Sequence, residues 1–237
     1  WKENVEKLMY RKSGAELLKN QKAPDEGEII KLTTLAESMN EISKYGSKVI
    51  YEGSISKKIS DFIQSEGGWL DEKDLSNYKS FWTDPIKTNY RGYDVFECPP
   101  NGDGLAALIA LNIIENIDFK KIKHGSSEFY HYLIESMKLG FSDALWHVTD
   151  PEKYDIPIDK LLSKQYSKER FDLINPKNIM NQVSHNTFDT NGDTVYITAI
   201  DGNGMGCSLI NSTFQSFGSG LVVPGTGIAL QNRGALF

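Results

Sequence analysis

Asn191-Gly192-Asp193-Thr194-Val195-Tyr196-Ile197-Thr198-Ala199-Ile200-Asp201-Gly202-Asn203-Gly204 is the stretch that decides the fold. Upstream of it, residues 175–193 are polar and without a sustained period. They read as a long loop, of the kind that is functional or mobile in compact domains. From Thr194 the period becomes two. Thr194, Tyr196, Thr198 and Ile200 face one way, and Val195, Ile197 and Ala199 the other, which predicts a strand. Asp201-Gly202-Asn203-Gly204 predicts a hairpin turn, with a second strand from Met205 to about Thr213. Phe217 to Gly227 follows as a glycine-punctuated loop with a short strand. The composition breaks at the same place. Residues 1–191 carry 55 of the 58 charged side chains, leaving only Asp193, Asp201 and Arg233 beyond. Residues 192–237 also hold nine of the 20 glycines. So few charges and so many glycines predict the buried sheet of a layered fold, with backbone packed on backbone.

The earlier part reads as helices. Apolar spacing predicts one over Ile29–Tyr45, through Ile30, Leu35, Met39 and Ile42, closed by Gly46. A second is expected over Ile55–Gln64, ended by Gly67-Gly68. Asp71 is placed to cap a short turn through Leu75. Tyr90–Cys98 reads as a single strand stopped by Pro99-Pro100. Gly104–Asn116 is apolar almost all round, the pattern of a core helix. Ser127–Val148 predicts the longest helix. Phe129, Leu133, Met137, Phe141 and Leu145 recur every four residues and predict its buried stripe, and Asp150-Pro151 ends it.

Composition excludes several classes. Of the 237 residues, 39% are hydrophobic and 24% charged, which is ordinary globular chemistry. A net charge of −6 makes a poor non-specific nucleic-acid binder. The longest apolar stretch, around Leu105–Ile117, is broken by Asn112 and falls short of the ~18 residues that suggest a membrane span. Two cysteines, Cys98 and Cys207, are too few for a disulfide scaffold or a cysteine zinc site, and read as buried small hydrophobes. The chain starts at Trp1 and stops at Phe237 after a strand-like segment, so it reads as a piece of something longer. Its compartment stays open, cytoplasmic or extracytoplasmic.

Few candidate sites stand out. Gly218-Ser219-Gly220 and Gly225-Thr226-Gly227 lack phosphate-cradle spacing and read as tight turns. None of His124, His131, His147 and His185 has metal-ligand spacing with another His or Cys, so no metal is expected. His131 and Glu135 read as a surface pair one helical turn apart. Glu135 and Asp143 read as solvated or packing carboxylates. Thr194 has two readings. One is a β-branched residue that starts a strand. The other is a nucleophile released by self-cleavage: its hydroxyl attacks the Asp193 carbonyl, and hydrolysis of the ester frees a threonine whose α-amine, with a reference pKa of about 7.7–8.0, serves as base. Such a residue needs no Ser/His/Asp partners and no cofactor.

The whole chain resembles the γ-glutamyltransferase (γ-glutamyltranspeptidase) family. In the first part the resemblance rests on Asp71-Glu72-Lys73-Asp74-Leu75 with Tyr78, Pro85 and Tyr90-Arg91-Gly92-Tyr93. It continues through Pro99-Pro100-Asn101-Gly102, Leu111-Asn112-Ile113-Ile114 and Asp150-Pro151. In the second part it rests on Gly192-Asp193-Thr194, Asp201-Gly202-Asn203, Phe217-Gly218-Ser219-Gly220 and Pro224-Gly225-Thr226-Gly227-Ile228. The resemblance implies an α+β fold, the αββα sandwich of N-terminal-nucleophile hydrolases. It implies a precursor cut at Asp193-Thr194 into large and small subunits that stay together. Residues 1–193 would be the later part of the large subunit and 194–237 the start of the small one, together one incomplete structural domain. Thr194 stands where the family's nucleophile stands.

The departures bear on specificity. The family commonly has Thr-Thr-His at the cut, where this chain has Thr194-Val195-Tyr196. Its Asn-Asn-Gln-Met-Asp-Asp-Phe is here Gln231-Asn232-Arg233-Gly234-Ala235-Leu236-Phe237. Leu236 replaces the acid that would hold a glutamyl α-amine, and Arg233 replaces the glutamine. The arginine expected to grip the α-carboxylate would lie upstream of Trp1. An insertion around Gln215-Ser216-Phe217 leaves either Asn211 or Ser212 as the side-chain hydrogen-bond donor at the site. The resemblance implies a small γ-glutamyl amide substrate such as glutathione. Two alternatives stay open: an acylase of the same mechanism acting on glutaryl or another acyl group, and an inactive protein of this shape that only binds.

Overall fold

The computed structural model describes residues 1–180 and 192–236. The helices are α1 (Val5–Met9), α2 (Thr33–Tyr45), α3 (Lys48–Tyr51), α4 (Ser54–Ser65), α5 (Glu72–Asn77), α6 (Gly104–Ile114), α7 (Ser127–His147), α8 (Ile158–Leu161) and α9 (Lys164–Phe171). The strands are β1 (Ile86–Tyr90), β2 (Tyr93–Glu97), β3 (Gly192–Ile200), β4 (Gly206–Gln215), β5 (Val222–Val223) and β6 (Ile228–Ala229). They pair antiparallel as β1–β2, β3–β4 and β5–β6. Among the described residues no helix is long and apolar enough to cross a membrane. Contacts divide the chain into two units. One draws on residues 1–80 and 192–236, on both sides of the expected cut, and the other on 81–180.

In the unit of residues 81–180, α6 is the core. Leu105, Ile109 and Ile113 are fully buried and gather Leu139, Ile156, Leu161 and Ile174. The one polar residue fully enclosed on α6 is Asn112, and its amide is satisfied on both ends. Its oxygen accepts from Thr88 Oγ1 and Lys164 Nζ, each at 2.6 Å, and its nitrogen donates to the Leu162 carbonyl at 2.9 Å. One side chain thereby ties together β1, α6 and the start of α9, which offsets the cost of burying an amide. Lys164 also bonds Glu115 at 2.6 Å. Beside that ammonium, and with the Arg91 N–H donating to it, the Glu115 carboxyl is held below the usual glutamate range.

Helix α7 corrects the expected stripe. Met137, Phe141 and Leu145 are exposed, whereas Ser136, Leu139, Gly140, Asp143 and Ala144 are buried. Small residues at 136, 140 and 144 let α7 approach α6 closely. A Cβ on Gly140 would stand 2.5 Å from the Ala106 carbonyl oxygen. The buried face also carries two carboxylates. Glu135 pairs with Lys138 at 2.6 Å and accepts from the Met180 N–H, so it is no surface partner of His131, whose Nε2 meets the Asn175 carbonyl. Asp143 pairs with Arg170 at 2.8 Å, and burial pushes its carboxyl up from the usual range. The expected single strand Tyr90–Cys98 is a hairpin. Arg91 and Gly92, with φ of 52° and 90°, form the two-residue turn between Tyr90 and Tyr93, in the left-handed geometry that matches strand twist.

In the other unit, the Asp71 side chain accepts from Asp74 N, and Asp74 returns the bond, a capping box that starts α5. Helix α2 begins at Thr33 rather than Ile29, because Leu32 packs into a buried cluster from non-helical backbone. Strand β5 joins two cores through its alternation. Val222 packs with Leu8 and Leu17, and Val223 with Val49, Ile55 and Ile59. Among the described residues, the buried strand of the glycine-rich segment is β5. The β3–β4 ribbon is exposed, with Val195, Ile197, Leu209 and Ile210 all more than half accessible. Two strands cannot cover their own faces, and among the described residues β3 and β4 pair only with each other. Both cysteines are exposed as well, Cys207 on this ribbon and Cys98 just after β2.

Candidate active site

The site residues converge at the open end of the β3–β4 ribbon. Asp201 shapes the other end, accepting from the N–H groups of Asn203 and Met205 at 2.9 and 2.8 Å. This turn sets Ile200 opposite Gly206, and the register then carries Thr194 opposite Ser212 and Val195 opposite Asn211. Alternation puts Thr194 and Ser212 on one face and Asn211 on the other. Of the two candidates for the hydrogen-bonding residue, the structure brings Ser212 to Thr194. Their hydroxyl oxygens are 2.9 Å apart.

The ladder shifts immediately beyond this pair. Gly192 lies opposite Gln215, so Asp193 alone faces both Thr213 and Phe214. That is a β-bulge on β4, directly across from the Asp193-Thr194 peptide. Bulges re-aim side chains and are frequent beside active sites. Phe214 carries the bend with φ of 77°, a conformation rare for a bulky residue. Its N–H turns onto Ser212 Oγ at 2.9 Å. A serine hydroxyl has one proton and two lone pairs. With one lone pair taken by Phe214, Ser212 keeps its proton and a second lone pair, so either hydroxyl of the Thr194–Ser212 pair can donate.

Asn232 fastens the following segment to the bulge. Its N–H donates to the Thr213 carbonyl at 3.2 Å, and its side chain exchanges bonds with the amide and side chain of Gln215. Arg233 follows, with its guanidinium carbon 5.0 Å from the centre of the Phe214 ring. It is the only cation in residues 192–237. Asp201 spends its carboxylate on the distant turn. Hydrogen bonds thus link the bulge beside the paired hydroxyls to the segment that carries Arg233. The expected loop beyond residue 180, the side chains of Asp193 and Leu236, and His185 lie outside the described residues.

Sequence reasoning missed Phe214 and Asn232. Counting outward from the Asp201 turn would have paired Thr194 with Ser212. Nothing in a phenylalanine's type announces a left-handed bulge, although the insertion at Gln215-Ser216-Phe217 marked the place.

A family model described as Gamma-glutamyltranspeptidase matches residues 1–237. A Bacillus subtilis protein named glutathione hydrolase-like YwrD proenzyme is 37% identical over 99% of this chain and 44% of its own length. The acylase ACY 1 proenzyme of Pseudomonas sp. strain SE83 is 30% identical over 83% of this chain and 36% of its own. The crystal structure of cephalosporin acylase from Bacillus halodurans superposes with a TM-score of 0.84 at 34% identity, over 99% of this chain and 43% of that one. The chain spans less than half the length of each of these relatives.

Proposed function

The chain belongs to the gamma-glutamyltranspeptidase family and has its N-terminal-nucleophile hydrolase fold, and from that premise we propose that it is part of an autoprocessing amide hydrolase or acyltransferase whose nucleophile is Thr194. The observation that carries this reading is the 2.9 Å contact between the Thr194 and Ser212 hydroxyls at a bulge facing Asp193. In processing, Thr194 Oγ attacks the Asp193 carbonyl carbon and the peptide C–N bond breaks. The acyl group passes from nitrogen to oxygen. Water then cleaves the ester, leaving a carboxylate on Asp193 and a free amine on Thr194. Residues 1–193 and 194–237 belong to the two subunits of one precursor.

In turnover the freed amine takes the Thr194 hydroxyl proton, and the oxygen attacks the substrate amide carbon. The amine leaving group departs with a proton, and an ester remains on Thr194. Water or an acceptor amine releases the acyl group. Ser212 donates to the Thr194 oxygen as negative charge builds there. Nucleophile and base are one residue, so the cycle draws on no metal or organic cofactor.

The substrate is a small γ-glutamyl amide such as glutathione, in keeping with the name of the 37%-identical relative. A second reading is favoured by one observation. Arg233 lies beside the bulge, where the family pattern places a glutamine, and Leu236 stands for the amine-binding acid. A cationic α-amine is poorly served there, while a terminal carboxylate gains a charge-assisted bond. This supports glutaryl or a similar acyl group, in keeping with the acylase relatives. Side-by-side kcat/KM values for γ-glutamyl and glutaryl p-nitroanilide decide between the readings. The charge-assisted contact is worth about 1.5–3 kcal/mol, or roughly 10–150-fold. Trapped acyl on Thr194 supports both readings, and its absence with either anilide favours a protein that only binds.

A further inference from the structure

The Phe214 backbone and ring act on different parts of the site. Its φ of 77° turns the N–H onto Ser212 Oγ, which meets Thr194 Oγ1. Its ring lies against the Arg233 guanidinium, at 5.0 Å from centroid to carbon. Arg233 has its backbone placed by Asn232, whose N–H and side chain are bonded to Thr213 and Gln215 on either side of Phe214. Without such support an exposed arginine is a flexible side chain that loses rotamer entropy on gripping a ligand. Stacked on a ring, it is pre-organised, and its N–H edges stay free for a carboxylate.

We propose that Phe214 is a specificity-determining residue of the Thr194 site, holding Arg233 in place for acyl groups that end in a carboxylate. The inference rests on the Thr194 reading and on the second, carboxylate-ended substrate reading, and it names the substrate feature this site selects. The ring contact with Arg233 gives a phenylalanine a role in a left-handed bulge that glycine would adopt more easily. The backbone bend orders the Ser212–Thr194 hydroxyl pair, and the ring orders the cation that reads the far end of the acyl chain.

The test compares glutaryl p-nitroanilide with pentanoyl p-nitroanilide, which has a methyl group in place of the carboxylate. The ratio of their kcat/KM values is measured in the full, processed enzyme. Phe214→Leu keeps bulk and removes the aromatic face. Phe214→Gly removes the ring but adopts the bulge freely. In both variants glutaryl should lose about 2- to 5-fold more than pentanoyl, the size of an exposed cation–π contact, and the excess should fall on KM. Phe214→Val removes the ring and also resists the left-handed bend, so it should show the same extra loss on glutaryl and, on top of it, a slowing of both anilides through kcat. An unchanged ratio in both the leucine and the glycine variants, or equal losses on the two substrates, overturns the inference. A wild-type enzyme that never acylates Thr194 overturns the proposed function instead.

Discussion

Helices α6 and α7 and the β3–β4 ribbon use polar residues in opposite ways. On α6 and α7, Asn112, Glu135 and Asp143 are buried and each is tied to a partner from another part of the chain or an adjacent turn. On the ribbon, Thr194 and Ser212 bond chiefly to each other and to the local backbone, and the apolar side chains around them stand exposed. The first arrangement converts polar contacts into stability, because breaking one strands a buried group. The second joins two hydroxyls in one local hydrogen-bonded pair. Substitutions in the helical pair should therefore show in melting, and those on the ribbon in rate.

The largest break is expected at Arg170. Arg170→Met leaves Asp143 buried without its cation, and the loss should reach about 3–5 kcal/mol by thermal or urea denaturation. Burial already raises the Asp143 carboxyl. A raised acid folds best while protonated, so the variant's deficit should shrink as pH falls and grow as pH rises through that titration. On the ribbon, Ser212→Ala removes one hydrogen bond to a developing charge. Processing and turnover should slow about 10–150-fold, the equivalent of 1.5–3 kcal/mol, with the melting temperature hardly moved. A large drop in melting temperature would erase the contrast between the regions. Gly140→Val drives a side chain into the Ala106 carbonyl, only 2.5 Å from the new Cβ. It should cost about 1–3 kcal/mol of stability and leave kcat intact in the folded fraction.

The smallest effect is electrostatic. Lys164 first, and the Arg91 N–H after desolvation, hold the Glu115 carboxyl low. Its contribution is fully present above the ordinary glutamate pKa of about 4.3 and is lost as pH falls through the lower folded value. Glu115→Gln should flatten that acid limb and leave neutral-pH activity as it was. Because both side chains of the pair are partly exposed, the change should be modest and reduced by salt.

The local signals that read correctly had one strong physical cause each. Asp71 capped its helix, the all-apolar α6 lay at the core, and Asp201-Gly202-Asn203-Gly204 made its turn. The errors arose where two causes competed. Helix α7 carries an apolar stripe and a small-residue stripe, and close approach to α6 selected the small one. Arg91 entered a left-handed turn that its residue type does not advertise, splitting one expected strand into two. Low charge and many glycines marked β5, which is buried, while β3 and β4 have no sheet neighbour among the described residues of a chain that spans less than half of its relatives' length. The candidate site was half legible. Thr194, Ser212 and Arg233 could be named from the sequence, whereas the choice of Ser212 over Asn211 needed the register, and Phe214 needed the bulge.

The most direct measurement is the intact mass and N-terminal sequence of the purified protein after denaturing separation. The account predicts two polypeptides, the second beginning Thr-Val-Tyr-Ile, and a single uncut chain for Thr194→Ala. A wild-type protein that stays whole, or whose second chain starts at any residue other than Thr194, would contradict it.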